Sequence, residues 1–144
     1  MKKLIVLTLT LTIIFSCKKE KDKPANKCTT DVASISKSYR LTAYTYKQTS
    51  SSQEIDYYNT LFPDACDRDN VLKFNVNGTY ELIDAGMVCS PSGSDNGSWT
   101  LAGNTMQIDG ESMTIESFDC NKLVISSSNV FVAGDKLKIT LIQQ

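Results

Sequence analysis

Five cysteines are the side chains of this 144-residue chain best suited to covalent chemistry, and their positions divide them into two groups. Cys17 stands at the end of an apolar run, in Ile13-Ile14-Phe15-Ser16-Cys17-Lys18-Lys19-Glu20. Cys28, Cys66, Cys89 and Cys120 are spread through the rest of the chain. No two of these four have the close spacing of a structural zinc site, and there is no histidine to complete one. An even number of cysteines in an exported chain reads instead as disulfides, and spacing alone leaves three pairings open. The lack of histidine also removes the commonest general base. The runs Ser50-Ser51-Ser52 and Ser126-Ser127-Ser128 therefore have no partner that would make a nucleophile. Asp64, Asp67 and Asp69 cluster, but Val71 breaks the alternation a calcium loop requires and the later ligands are missing. They read as solvated charges at a strand entry. No catalytic residue, metal site or cofactor is expected.

Export is what the N-terminus indicates. Lys2 and Lys3 precede a run from Leu4 to Phe15 that carries no charge. That run is well short of the roughly 20 residues a helix needs to span a bilayer. A basic start, a short apolar middle and a small final residue make a secretory signal peptide. Ile14-Phe15-Ser16-Cys17 resembles the lipobox of bacterial lipoproteins. The resemblance implies cleavage before Cys17, a diacylglyceryl group on its sulfur and acylation of the new amine. One acyl chain binds membranes only marginally, with a constant of about 10⁴ M⁻¹, whereas two or more anchor stably. Residues 1–16 are thus expected to be a leader, and residues 17–35 a lipidated cysteine with a charged tether. Within it, residues 18–27 (KKEKDKPANK) hold five lysines and two acids, net +3, and almost nothing apolar. Such a segment stays extended and cannot fold alone. Lys18 rather than Asp follows the cysteine, which under the same resemblance favours a cell-envelope location in the outer membrane.

Residues 36–144 are of a size that suits one domain. From Cys28 onward there are eight basic and fourteen acidic residues, net −6, a balance that does not suit nucleic acid. Residues 52–62 predict a short helix or loop ended by Pro63. Elsewhere apolar residues alternate with period two between turn signals, the pattern of an all-β barrel or sandwich. Tyr39, Leu41 and Ala43 alternate with Arg40, Thr42 and Tyr44. A three-residue Val76-Asn77-Gly78 loop pairs Asn75 with Thr79, and so sets Phe74 against Tyr80 and Leu72 against Leu82. The same register places Cys66 opposite Val88, so one bulge brings Cys89 within reach. It points to Cys66–Cys89, leaving Cys28–Cys120. A Gly103-Asn104 turn sets Trp99 against Ile108 and Leu101 against Met106. An Asp109-Gly110 turn sets Met106 against Met113. The last strand alternates Leu137, Ile139 and Leu141 with Lys136, Lys138 and Thr140. The count is eight strands, and an antiparallel up-and-down barrel is the simplest closure because it leaves no free edge.

The stretch CDRDNVLKFNVNGTYEL, a second cysteine, GSWTLAGNTMQI and a terminal strand resemble the lipocalin-like domains of small Gram-negative bacterial lipoproteins. The resemblance covers roughly residues 36–142. It implies an eight-stranded barrel with a calyx-like interior. On the register above, that interior is lined by Leu72, Phe74, Tyr80, Leu82, Trp99, Leu101, Met106, Ile108 and Met113. Barrels of this size are either filled by their own side chains or hold one small ligand. The leading expectation is a lipid-anchored envelope protein that binds a small apolar ligand. Its membrane contact is through Cys17. The alternative is a periplasmic or surface interaction module with a closed barrel and an unidentified protein partner.

Overall fold

The computed structural model describes residues 28–144. The leader, Cys17 and residues 18–27 of the tether lie outside the described residues. Nine antiparallel strands follow in chain order. β1 (Ser38–Lys47) is followed by the two-residue β2 (Ile55–Asp56), then β3 (Val71–Phe74) and β4 (Thr79–Ile83). β5 (Asp95–Ala102), β6 (Thr105–Ile108), β7 (Glu111–Phe118), β8 (Lys122–Ser128) and β9 (Lys136–Gln143) complete the set. β1, β3 and every later strand pair neighbour to neighbour, and β9 returns to pair with β1. These eight strands close a ring, and β2 is a short addition on the free part of the β1 edge. Among the described residues no helix is long and apolar enough to cross a membrane.

Turn chemistry sets the register. Gly78 takes φ +84 in the loop between β3 and β4, and Asn75 N–H donates to Thr79 O at 2.9 Å. Phe74 then faces Tyr80 and Leu72 faces Leu82. Asp109 and Gly110 both have positive φ (+50 and +86), as a type I′ turn requires, and Met106 faces Met113. Trp99 faces Ile108 and Leu101 faces Met106. These are the partners that apolar alternation selects. Gly97 has a different reason to be glycine. A Cβ there would lie 2.3 Å from Asp109 Oδ1 and 2.6 Å from Tyr80 Cε1, so it leaves room for the hydrogen bond from the Tyr80 hydroxyl to Asp109.

One end of the barrel is packed shut. Tyr39, Phe74, Trp99, Met106 and Leu123 are buried there, with the Phe74 and Trp99 rings 5.1 Å apart between centroids. The Trp99 indole N–H donates to Asn75 O at 2.9 Å, which satisfies the one polar atom this ring carries inside. Helix α1 (Val32–Ile35) plugs the end. Asp31 caps it by accepting from Ser34 N–H at 2.8 Å, and Ile35 is fully buried. The Cys28–Cys120 bridge ties the incoming chain to the turn between β7 and β8. Of residues 28–35, which the sequence assigns to the tether, Ile35 is buried in the core and Cys28 is bridged to the barrel, while residues 29–33 are exposed.

Candidate functional site

The other end is not filled, and the reason begins in β1. Leu41 pairs with Leu141 but Ala43 pairs with Thr140, so Thr42 is an extra residue in the ladder. Such a bulge shifts the strand by one residue and exchanges its faces. Tyr39 and Leu41 face the interior before the bulge, and Tyr44 faces it afterwards. Unbroken alternation, with Ala43 inside and Tyr44 outside, is corrected by this one residue. The outer edge of β1 also changes partner. Ser38–Arg40 pair with β3, whereas Thr45 and Tyr46 pair with β2. Between these pairings the wall is open, and residues 57–70 arch across it.

A cavity of about 250 Å³ lies under the arch, partly open to solvent. Its walls are apolar: Leu41 and Tyr44 from β1, Leu72 from β3, Leu82 from β4, Ile108 from β6 and Ile139 from β9. The arch supplies Phe62, Asp67 and Asn70. Three of the nine residues expected to line the interior, as pocket or as core, border this cavity: Leu72, Leu82 and Ile108. Phe74, Tyr80, Trp99 and Met106 belong to the buried core, and Leu101 and Met113 pack against it partly exposed. The face is continuous, but only its upper part borders free space, because the aromatic side chains fill the lower part.

The arch is held in place by its own polar contacts. It contains α2 (Tyr58–Leu61) and α3 (Ala65–Arg68). Arg68 Nη1 donates to the carbonyls of Phe62 at 3.0 Å and Pro63 at 2.8 Å, and the Tyr58 hydroxyl donates to Arg68 O at 3.3 Å. The Cys66–Cys89 bridge then fastens α3 to the loop between β4 and β5. The β3–β4 ladder stops at Val71 and Ile83, so this bridge joins a helix of the arch to a loop and is not the end of a hairpin, as the extended register supposed. In the same loop Asp84 accepts from Gly93 N–H at 2.9 Å and Cys89 N–H at 3.1 Å. The Gly93 amide first, and the Cys89 amide with it, hold the Asp84 carboxyl below the usual range against the cost of burial.

The three clustered aspartates do not converge on a common point. Asp69 Oδ2 accepts from Met87 N–H at 2.8 Å, which fastens the arch to the same loop. Asp64 precedes α3 without a side-chain cap bond. Asp67 borders the cavity, with Oδ1 3.3 Å from Cys89 Sγ. A bridged sulfur has no proton to donate, so this is a contact rather than a hydrogen bond. Donor atoms of Cys66, Asp67 and Cys89 lie within 4.8 Å of one another, but both sulfurs are committed to each other and offer no thiolate to a metal. The arrangement suits the enclosure of an apolar molecule, with one amide and one carboxylate at its edge.

Tyr44 and Phe62 were not among the residues expected at the site. The signal for them is the aromatic density of residues 44–62, which hold Tyr44, Tyr46, Tyr57, Tyr58 and Phe62. That is more aromatic surface than a solvent-facing loop needs.

No curated protein matches the chain. The family model for the lipocalin-like domain matches residues 35–125, from the buried end of α1 into β8. That segment is more than half of the chain and contains most of the ring and of the cavity wall. The chain belongs to the lipocalin-like domain family.

Proposed function

We propose that this protein binds a small apolar ligand in the cavity beneath residues 57–70, and that it does so while tethered to the outer membrane of a bacterial cell envelope by lipid on Cys17. The observation that carries the ligand reading is the cavity of about 250 Å³ with apolar walls. An engineered apolar cavity of about 150 Å³ holds benzene, so this one has room for a ligand of on the order of ten heavy atoms. The cavity is also what favours ligand binding over a filled barrel acting through its loops. The reading includes no catalytic role and no nucleic acid. The tether reading rests on the junction of apolar run, Cys17 and charged segment.

Two measurements test the two halves separately. Toluene titrated into the lipid-free domain should perturb methyl resonances of Leu72, Leu82 and Ile108 in a saturable manner. Resonances of Met106, at the closed end, should stay still. Uniform or absent shifts would refute the pocket. Mass spectrometry of the mature N-terminal peptide should show a lipid-sized addition on Cys17. Replacing Cys17→Ser should move the protein from the membrane to the soluble fraction, and an unmodified Cys17 in the native protein would refute the tether.

A further inference from the structure

We propose that the ligand is a linear apolar chain, whose inner end fills the cavity and whose outer end passes Tyr44 into a groove between Tyr57, Leu61 and Phe131. The inference rests on the ligand-binding reading above and adds a second subsite to it. The groove has a volume of about 310 Å³ and is lined by Tyr44, Tyr46, Tyr57, Leu61, Phe131 and Leu137. Tyr44 lines both spaces, so the two recesses meet at one side chain. Among the described residues no charged side chain lines the groove, which makes it a path for hydrocarbon, with a polar end left to solvent.

The groove is built rather than left over. Phe131 is 72% exposed and Leu61 50% exposed, yet the loop that presents Phe131 is fixed. Buried Asp135 accepts from the N–H groups of Val130 at 2.7 Å, Phe131 at 2.8 Å and Val132 at 2.9 Å. The Tyr46 hydroxyl donates to the same carboxylate at 3.0 Å. The Tyr46 ring meets Phe131 edge-on with centroids 5.5 Å apart, and Tyr57 at 6.5 Å. A rigid loop that keeps a phenylalanine in water is the arrangement of a preorganised apolar contact. A compact ligand would occupy the cavity and leave this wall bare. A chain longer than the cavity can hold covers both.

The experiment is a chain-length series. n-Alkanols of six to fourteen carbons, each below its solubility limit, compete with toluene for the lipid-free domain in ligand-detected NMR. Each buried methylene should tighten binding about fourfold. If the groove is used, the gain continues past the on the order of ten carbons that the cavity can hold. The double variant Leu61→Ser with Phe131→Ser should then lower the ratio of tetradecanol to hexanol affinity by at least tenfold. A plateau near ten carbons, identical in the wild type and the double variant, would overturn the inference while leaving the cavity reading intact. Failure of toluene and hexanol alike to bind would overturn the cavity reading itself. Sedimentation that showed dimers dissolved by Phe131→Ser would assign the groove to a second copy of the chain and likewise overturn the inference.

Discussion

Enlarging a side chain has opposite consequences at the two ends of this barrel, and that difference tests whether the cavity is real. An unfilled apolar void costs the folded state about 24 cal/mol per Å³. For a cavity of about 250 Å³ the ceiling is roughly 6 kcal/mol, less where solvent enters. Leu82→Trp places an indole against this space. Filling on the order of a quarter of it would recover about 1–2 kcal/mol, enough to offset the strain of an altered rotamer. Met106→Trp puts the same indole where Met106 is fully buried among Tyr39, Phe74 and Trp99. Overpacking there should cost about 1–3 kcal/mol. Urea unfolding followed by far-ultraviolet circular dichroism gives both numbers without interference from the added tryptophan. Leu82→Trp should unfold at the same or a higher midpoint and lose toluene binding. Met106→Trp should unfold earlier. Equal losses of stability in both variants, or unaltered toluene binding in Leu82→Trp, would refute the assignment of the open end as a cavity.

Alkaline pH should weaken the fold through Tyr39 and Tyr80. Burial pushes Tyr39 up to about 12, and the hydrogen bond to Asp109, with burial, does the same for Tyr80. Both folded values lie above the unfolded value near 10, so this stability is complete below about pH 10 and is lost as pH rises toward 12. The Tyr39 hydroxyl is buried without a protein partner among the described residues, so Tyr39→Phe should raise stability at pH 7 by about 1 kcal/mol and flatten the alkaline loss, as urea midpoints from pH 8 to 12 would show. The two bridges should separate stability from binding. Chain entropy assigns about 4.6 kcal/mol to Cys28–Cys120, across 92 residues, and about 3.4 kcal/mol to Cys66–Cys89, across 23. Replacing both members of each pair with serine should therefore cost more stability for the first, while toluene affinity should fall more for the second.

The strands were legible because each hairpin states its register locally. Gly78, Asp109 and Gly110 need positive φ, which fixes where the chain turns, and apolar alternation then admits one pairing. The disulfides were legible for the same reason, although the ladder does not reach Cys66 or Cys89. Chain direction brought those two residues together, and the loops supplied the final approach. What the sequence concealed is the Thr42 bulge. A single inserted residue carries no composition of its own, and Leu41-Thr42-Ala43-Tyr44 alternates as well in one frame as in the other. The short β2 and helix α3 were equally hidden, since Ile55–Asp56 and Ala65–Arg68 are shorter than any period can be measured over, whereas Tyr58–Leu61 falls within the short helix or loop expected before Pro63. Their positions come from contacts with β1, not from their own propensity.

The division between the two ends follows from that bulge. Below it, Tyr39 continues the inward face toward Phe74 and Trp99, and large rings fill the interior with the help of Ile35. Above it, Tyr44 and Tyr46 take the inward positions, and β1 leaves β3 for β2. The separation of β1 from β3 removes a stretch of wall that side chains would otherwise have packed against, and the arch bridges the gap without filling it. A small barrel cannot be both fully packed and receptive. Here the closed end carries the core and the Cys28–Cys120 bridge. The open end keeps its cavity, with its loops fixed by Asp84, Asp135 and Cys66–Cys89 alongside the ring contacts of Tyr44 with Phe62 and Tyr46 with Phe131. Polar fastening of this kind holds a mouth in shape without occupying its interior, which is what a ligand-binding reading of this end requires.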